Sequence, residues 1–406
     1  MGNLNTGSQN IKIAYVHNMT YPSLEANALQ SITMASAFSK IADATFFMPR
    51  LKSSKSEIKE QYNISDSFLR IQSMYLDRLP SRLSIYYEQY VSLYLRFHPK
   101  WAGFQGKKIL FVRAPKELLF WGLQRESQKW LKDWKFIFEA HDVAGLDPNK
   151  FQGVNPFDLQ DGIEGEYRQS LLRAMRNFDL VVCVTQALAD DLSSWSNNTV
   201  RPQVIRHASS LPRISSLPKI SSFGEKIVLG YIGTIDQYRG VNIIFEAMRL
   251  LPQNFSLRLV GRVRQEKGVD PNWLANYINE PLLAGRVELI NAVPIQKVAE
   301  EIDRCDMVLQ PASHDMIDSR YASPLKSYDY MMRGKPIIAA DVPSHNELFE
   351  DGKNAFLYRV DPRHLANCIT KLFNNPDQAE KIAQAGWKQS VDYTYSCRAE
   401  KILSLV

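Results

Sequence analysis

The chain has 406 residues, 45% of them hydrophobic and 23% charged, a composition that is typical of a globular protein and excludes a fibrous or disordered chain. Its net charge of +6 is a mild excess that favours anionic partners without identifying them. The four cysteines stand far apart in sequence, which argues against a zinc site or a disulfide framework and suits a reducing compartment. No stretch has the pattern of a signal peptide or a membrane span, so we expect a cytoplasmic protein.

The amino-terminal half begins with alternating strands and helices. Residues 1–10 are polar and are expected to be disordered, and the apolar run at 11–16 predicts a buried strand. A loop with Ser23 and Asn27, a helix, and a second strand at 44–48 follow, an order typical of a Rossmann-like domain. No Gly-x-Gly-x-x-Gly follows the first strand, which argues against a dinucleotide site and so against a dehydrogenase.

Two later strands of this half end in side chains that could carry chemistry. Arg113 ends one predicted strand, and His141 and Asp142 end the next. Ligands of open α/β sheets bind at the carboxyl ends of strands, and a histidine placed there is mostly neutral near pH 7. A salt bridge from Arg113 to Asp142 or Glu139 would be the structural alternative.

The segment 80–135 combines basic and aromatic residues. It holds eleven lysines and arginines against four acids, and four of the seven tryptophans: Trp101, Trp121, Trp130 and Trp134. Tyrosines at helical spacing add to it, at positions 86, 87, 90 and 94. Three interpretations are open: a solvated basic face over a core-facing aromatic stripe, an anionic membrane surface, and, least favoured, nucleic acid.

A linker divides the chain. Residues 209–225 contain Pro212, Pro218 and six serines without periodicity, which predicts an interdomain connection. Strands and helices alternate again after it, so we expect a first domain at 11–208, a second at 226–385, and a helix at 386–406 that crosses back to the first domain. The strands of the second domain are predicted at 227–232, 255–260, 287–290, 307–310 and 336–340.

The stretch from Ser323 to Ala340 predicts a helix with signals at both ends. Ser323 is a suitable N-cap, Pro324 fits the first helical position, and Gly334 fits the left-handed position after the last turn. Lys326 falls in the first turn, where amide groups and the positive end of the helix dipole favour anions. An ordinary surface helix or a phosphate site would both fit this pattern.

This stretch resembles the donor-binding helix of glycosyltransferase family 4. The resemblance rests on Ser-Pro-Leu-Lys at 323–326, Asp-Tyr-Met at 329–331 and Gly-Lys-Pro at 334–336, preceded in the family's order by Gly233, Arg239-Gly240, Val260-Gly261 and Pro311. It implies the GT-B architecture, two Rossmann-like doubly wound domains that face each other across a cleft. Many members carry two glutamates eight positions apart here; this chain has Tyr321 and Asp329, so the first acid is lost.

The resemblance also implies roles for individual residues. Arg239 and Lys326 would stabilise the departing diphosphate, Asp329 would accept from the ribose hydroxyls, and His141 would orient donor and acceptor. The remaining donor-binding residues would be Gly233, Thr234, Gly261, Arg262, Pro294, Ser323, Pro324 and Leu325. Ser23, Asn27, Arg113 and Asp142 would lie on the acceptor side.

These roles describe a retaining transferase that moves a sugar from a nucleotide diphosphate sugar to a glycan or lipid-linked acceptor. No Asp-x-Asp pair occurs, so we expect neither a metal nor any other cofactor beyond the sugar nucleotide as co-substrate. We expect the acceptor to be reached at the inner face of the membrane, with an anionic membrane surface as a partner. We do not expect nucleic acid to be a partner. The alternative is a non-catalytic sugar-nucleotide or glycan-binding homologue, which the loss of the acid at Tyr321 favours.

Overall fold

The computed structural model describes residues 10–23, 25–64, 69–74, 86–141, 161–217, 219–265, 268–313 and 317–406. Residues 1–9 of the start predicted to be disordered, residues 80–85 of the basic segment, Asp142 and Pro218 lie outside these ranges. The chain divides into two units, one made of residues 1–206 and 395–406, the other of residues 207–394. Within the described ranges, no helix is both long and apolar enough to cross a membrane.

Unit 1 is built on a parallel sheet. Its strands are β1 Ile11–Val16, β2 Thr20–Tyr21, β3 Asp43–Met48, β4 Arg50–Leu51, β5 Arg70–Ser73, β6 Lys107–Val112, β7 Trp134–Ala140, β8 Leu180–Cys183 and β9 Gln203–Val204. Seven of them pair in the order β5-β3-β1-β6-β7-β8-β9, and β2 pairs separately with β4. The strand order reverses between β1 and β6, and in open α/β sheets ligands bind outside the carboxyl ends of the strands at such a reversal.

The helices of unit 1 cover this sheet. They are α1 Ala26–Ser39, α2 Lys55–Gln61, α3 Tyr87–Phe97, α4 Pro99–Ala102, α5 Pro115–Ser127, α6 Asp161–Met175 and α7 Gln186–Trp195. The central strands are mostly apolar, because a parallel strand with helices on both faces is buried on both sides. For example, all residues of β6 from Ile109 to Val112 are buried.

Unit 2 is also built on a parallel sheet covered by helices. Its strands are β10 Ile227–Ile232, β11 Phe255–Val260, β12 Val287–Ile290, β13 Met307–Gln310, β14 Ile337–Ala340 and β15 Phe356–Tyr358. Its helices are α8 Val241–Leu250, α9 Trp273–Ile278, α10 Ile295–Asp303, α11 Ile317–Tyr321, α12 Leu325–Met332, α13 Pro343–Asn346, α14 Pro362–Phe373 and α15 Pro376–Gln389. The parallel order β12-β11-β10-β13-β14-β15 reverses between β10 and β13. The fold prediction of two doubly wound Rossmann-like sheets is therefore confirmed.

The described part of the predicted linker is packed on unit 2. The indole of Trp387 donates to the carbonyl of Ile214 at 3.0 Å, and the guanidinium of Arg213 lies 3.6 Å from the centroid of the same ring. After unit 2, the chain returns to unit 1 with its last helix, α16 Tyr395–Leu403, which packs against α1.

The tryptophans of the basic segment are mostly core residues. Trp101, Trp121 and Trp134 are buried, and Trp101 stacks on Trp134 with ring centroids 5.6 Å apart. Trp130 is half-buried and packs edge-on against Trp134. The core-facing interpretation holds for the three buried rings, and they are not available to contact a bilayer.

Candidate functional site

In unit 2, helix α12 begins one residue later than its sequence predicts. Pro324 is the flanking residue and Leu325 the first helical one, and the prediction that Ser323 caps the helix is wrong. The hydroxyl of Ser323 instead lies 2.5 Å from the hydroxyl of Tyr328, which competes with the backbone amides for it. The predicted end is confirmed, because Gly334 follows the last turn with φ +59°, in the left-handed region.

Lys326 lies over the loop that follows β10. Its Nζ donates to the hydroxyl of Tyr231 at 3.2 Å and stands 4.7 Å from the centroid of that ring. The buried Tyr231 hydroxyl in turn donates to the carbonyl of Thr234 at 2.6 Å. A Cβ on Gly233 would come within 2.9 Å of Lys326 Cε, so a side chain there would push the lysine away. The structure thus brings together Gly233, Thr234 and Lys326, and their roles toward a donor stay predictions.

The loops after β10 and β11 meet backbone to backbone. A Cβ on Gly261 would lie 1.8 Å from the carbonyl oxygen of Gly233, so only glycine fits there. The amide of Gly233 donates to the Val260 carbonyl at 2.8 Å. Arg262, the next residue, and Pro294, ahead of α10, are both exposed. Gly261 therefore belongs to the same cluster as Gly233, while the roles of Arg262 and Pro294 stay predictions.

Arg239 is held by a carboxylate that the sequence analysis did not single out. Its Nη1 lies 2.5 Å from Oδ2 of Asp236, and its backbone amide donates to Oδ1 at 2.8 Å. Asp236 is fully buried, whereas 29% of the Arg239 side chain is exposed. The carboxylate offsets part of the guanidinium charge and fixes its direction. A signal was available, since Asp236 stands three residues before Arg239 in the same loop.

Asp329 lies in α12 and accepts a hydrogen bond from a residue far away in sequence. The hydroxyl of Ser209 donates to its Oδ1 at 2.5 Å. Burial raises the pKa of Asp329 to about 7, so that it is partly protonated near neutral pH. Tyr321, in place of the family's first acid, is buried and accepts from Arg320 Nε at 3.1 Å. The ribose contact of Asp329 stays a prediction.

Beside this cluster, sequence reasoning missed a buried polar pair. His345 Nδ1 donates to the Ala340 carbonyl at 2.8 Å, and the Gln310 amide nitrogen lies 3.2 Å from His345 Nε2. Burial lowers the pKa of His345 to about 4, so the ring is neutral and accepts from Gln310. Gln310 Oε1 has no hydrogen-bond partner within the described part of the chain. Gln310 is the last residue of β13, and a polar residue at that position was the available signal.

In unit 1, Arg113 and His141 follow the neighbouring strands β6 and β7 and are in contact. Arg113 Nε lies 3.0 Å from His141 Nε2, and His141 Nε2 lies 2.7 Å from Oε1 of Glu139. Helix α1 supplies further acceptors for Arg113: the Asn27 carbonyl at 3.2 Å, the Ser31 hydroxyl at 2.5 Å and the Gln30 side chain at 2.7 Å. Arg113, His141 and Asn27 thus lie together, and the roles predicted for them stay predictions.

Ser23 lies apart from this contact set. Its backbone amide and carbonyl both bond the Tyr62 hydroxyl at 2.7 Å, and its own hydroxyl accepts from the amide of Glu25 at 3.2 Å. Those bonds account for Ser23 as a turn residue, and its acceptor-side role stays a prediction.

The electrostatics of unit 1 keep His141 neutral. Burial and the charge of Arg113 lower the pKa of His141 to about 4, although a quarter of the side chain remains exposed. Burial alone would raise the pKa of Glu139, but the charges of Arg398 and Arg113 hold it well below its ordinary value. At neutral pH this group therefore contains a neutral imidazole beside an ionised carboxylate and two guanidiniums.

A second buried acid, Glu117, ties the loops after β1 and β6 and was missed by sequence reasoning. One of its oxygens accepts from the amide of Asn18 at 2.5 Å, the other from the amides of Arg113 at 3.1 Å and Ala114 at 3.0 Å. Burial raises the pKa of Glu117 to about 7. Its place in the first turn of α5, two residues after Pro115, was the available signal. Glu117 braces the sheet edge on which Arg113 lies.

Metal ligands do not cluster in the part of the chain that the structure describes. There, no group of three or more His, Cys, Asp or Glu side chains is arranged to hold an ion. Two cationic side chains, Lys326 and Arg239, have contacts with residues at or beside the loop after β10.

Comparisons with known proteins agree with this fold. Residues 214–389 match the family model described as glycosyl transferases group 1. Anabaena HepE in complex with UDP is similar over 97% of this chain and 98% of its own, with a TM-score of 0.69 and 16% sequence identity. The same protein with UDP-glucose gives a TM-score of 0.66 at 17% identity, over 97% of this chain and all 100% of that one.

A third solved structure has the same architecture. Sucrose-phosphate synthase from Thermosynechococcus elongatus matches 97% of this chain and 98% of its own, with a TM-score of 0.68 and 15% identity. Among curated protein sequences, none matches significantly. At such identities a structural likeness establishes the fold and leaves the substrate open. The chain has the GT-B glycosyltransferase fold with two Rossmann-like units, and its residues 214–389 match the group 1 glycosyl transferases.

Proposed function

We propose that the protein transfers a sugar from a nucleotide diphosphate sugar to a glycan or lipid-linked acceptor. The observation that carries the proposal is the position of Lys326, whose ammonium lies over Gly233 at the start of α12, inside the segment that matches the transferase family. The UDP and UDP-glucose bound to HepE make uridine diphosphate sugars the first donors to test.

Unit 2 would hold the diphosphate electrostatically. The Lys326 ammonium donates to the hydroxyl of Tyr231, a neutral phenol. Arg239 would add a second cation, whose attraction for the diphosphate is reduced by the ion pair with Asp236. The amino end of α12 adds the positive end of a helix dipole, which favours a phosphate group.

The proposed reaction retains the anomeric configuration without a metal. The bond between the anomeric carbon and the phosphate oxygen breaks, a bond to the acceptor oxygen forms on the same face, and the acceptor proton passes to the leaving phosphate. Lys326 and Arg239 would stabilise the negative charge that develops on the diphosphate, the part that a metal plays elsewhere. Transfer should therefore persist in excess EDTA, and a strict need for added Mg²⁺ or Mn²⁺ would contradict this part of the proposal.

Unit 1 would bind the acceptor and orient the reacting sugar. His141 is partly exposed, and its lowered pKa keeps it neutral at pH 7, so it would form hydrogen bonds rather than an ion pair. Arg113 would act mainly through His141, because its guanidinium is buried and engaged by α1. Asn27, Ser23 and Asp142, the last outside the described residues, remain acceptor-side candidates.

A second candidate function is nucleotide-sugar binding without transfer. It is favoured by Tyr321, which is buried where the family has an acid, and by the bond that Ser209 already makes to Asp329. The two functions differ in turnover. A binder would be stabilised by a sugar nucleotide yet release no nucleotide with any acceptor offered.

We also propose that unit 1 contacts an anionic membrane surface through α3, at the inner face where a lipid-linked acceptor would be reached. Tyr86, Leu93 and Phe97 are 45%, 54% and 64% exposed and stand on one side of the helix, opposite its buried side. Two basic residues lie close to this stripe in sequence: Arg96, on the same helix, and Lys100, three residues after Phe97, are exposed. An apolar stripe with flanking cations suits anionic headgroups better than a neutral surface.

The proposed function is tested by incubating the protein with a panel of uridine and guanosine diphosphate sugars and a lipid or glycan acceptor library. Nucleotide release and a mass gain of one sugar on the acceptor are the expected results. A matched pair of variants ties the activity to the site: Lys326→Met should abolish most of it, and Lys297→Met, an exposed lysine of the same unit, should not. Donor binding without transfer by the wild type would favour the second function.

A further inference from the structure

The last helix of the chain places a buried cation beside the His141 group. Arg398 of α16 is buried, and its Nη1 lies 2.7 Å from Oε2 of Glu139. Its other nitrogens donate to backbone carbonyls of unit 1, Nε to Arg206 at 2.8 Å and Nη2 to Ile205 at 3.2 Å. These bonds fix the guanidinium in a single direction, with Glu139 as its charged partner.

Glu139 connects Arg398 to His141. Its Oε2 faces Arg398, and its Oε1 lies 2.7 Å from His141 Nε2. Only 2% of the Glu139 side chain is exposed, so it does not reach a substrate itself. Whatever Glu139 contributes to the site, it contributes through the imidazole, of which a quarter is exposed.

Arg113 does not replace Arg398 on this carboxylate. Its closest approach to Glu139 is 3.6 Å, to Oε1, and its shorter contacts are with His141 and α1. Without Arg398, Oε2 of Glu139 would stay buried but would lose its guanidinium partner. Leaving one member of a buried ion pair unpaired is costly, so the Glu139 carboxylate would no longer be held in its present position.

We propose that Arg398 is a positioning residue for His141: it holds Glu139 by one oxygen, so that the other oxygen fixes the imidazole ring. Nothing in the local sequence links the two, because Arg398 follows Glu139 by 259 residues. The inference rests on the proposed function in one respect only, namely that the oriented His141 ring takes part in sugar transfer. The orientation itself belongs to unit 1 and is measurable without any substrate.

The charged groups around His141 set the sign of the expected effect. Arg113 after β6 and Arg398 on α16 lower the pKa of His141, Glu139 on β7 raises it, and His17 after β1 lies close enough for the two rings to influence each other. Glu117 faces the backbone of Arg113 rather than the ring. Removing Arg398 takes away a nearby positive charge, so His141 should bind a proton at higher pH than in the wild type.

The experiment is a pH titration of the histidine Cε1 resonances in ¹³C-labelled full-length protein, with the His141 signal identified by its loss in His141→Gln. Three variants are compared with the wild type. Arg398→Met removes the charge at similar length, Arg398→Lys keeps the charge, and Lys401→Met removes an exposed cation from the same helix. The His141 midpoint should move upward in Arg398→Met and stay in place in the other two.

A second readout is catalytic. In Arg398→Met, kcat should fall by about tenfold or more with little change in KM for the sugar nucleotide, since ring orientation matters more to the reacting group than to donor binding. If Arg398→Met does not fold, Arg398→Gln, which keeps amide donors for the two carbonyls, replaces it. An unchanged His141 midpoint in a folded, charge-free variant would overturn the inference. Absence of transfer by the wild type would instead refute the proposed function and leave the titration result valid.

Discussion

The loss of the Lys326 ammonium should be the most damaging single change to activity in unit 2. In the structure its Nζ donates to the Tyr231 hydroxyl, and its side chain lies over Gly233. An ammonium about 4 Å from a phosphate oxygen interacts by ~4 kcal/mol at an effective dielectric constant of about 20. Partial exposure reduces this value, and electrostatic donors of this kind are often worth ~3 kcal/mol. Lys326→Met should therefore lower kcat/KM by about 10²-fold.

The fold should tolerate this change. Lys326 is half-buried, and the bond it loses, to the Tyr231 hydroxyl, is one of the ordinary kind worth about 1 kcal/mol. The assay is nucleotide release at several donor concentrations, with Lys297→Met as the control and thermal unfolding as the check on folding. Arg239→Met should lose less activity, because Asp236 already offsets its charge. If Lys326→Met kept kcat/KM within about tenfold of the wild type, under ~1.4 kcal/mol, the diphosphate would not lie at this lysine.

Three further changes test other parts of the account. Tyr231→Phe removes the hydroxyl between Lys326 and the Thr234 carbonyl. We expect kcat/KM, measured by nucleotide release, to fall by about tenfold, and the free energy of unfolding in urea to fall by ~1 kcal/mol. Full activity would exclude Tyr231 as the residue that positions the lysine. Burial raises the pKa of Asp329 to about 7 from its ordinary 3.8, so the folded protein holds this proton where the unfolded chain has lost it. The wild type should therefore lose stability between pH 5 and 8 relative to Asp329→Asn, measured by urea unfolding at both values, and parallel curves would contradict the raised pKa. For α3, the double variant Leu93→Glu, Phe97→Glu should no longer sediment with anionic vesicles at low salt. The fluorescence of the buried tryptophans should stay unchanged, which would show that the fold is intact. Undiminished vesicle binding would place the membrane contact elsewhere.

The sheets were predictable because their signals are local. The strands predicted at 11–16, 227–232 and 255–260 have those bounds in the structure, since strands of a parallel sheet are rich in apolar residues. Two short edge strands were not predicted, because β5 has a single apolar residue, Ile71, and β15 is only three residues long.

Side-chain partners far away in sequence were not predictable from local patterns. Ser323 fits the sequence pattern of a helix cap, yet in the structure its hydroxyl is hydrogen-bonded to the hydroxyl of Tyr328. Asp329 looked free for a ligand, yet Ser209, 120 residues earlier, is bonded to it. For the tryptophans of 80–135 the sequence left both a core-facing stripe and a membrane surface open, because composition does not reveal which face of a helix or strand packs inward.

The central claim is that a nucleotide diphosphate binds unit 2 at Lys326. A crystal structure of the protein with UDP would test it most directly. We expect a diphosphate oxygen within hydrogen-bond distance of Lys326 Nζ, at the amino end of α12 and beside Gly233. A diphosphate bound elsewhere, out of hydrogen-bond reach of Lys326 Nζ, would contradict the account.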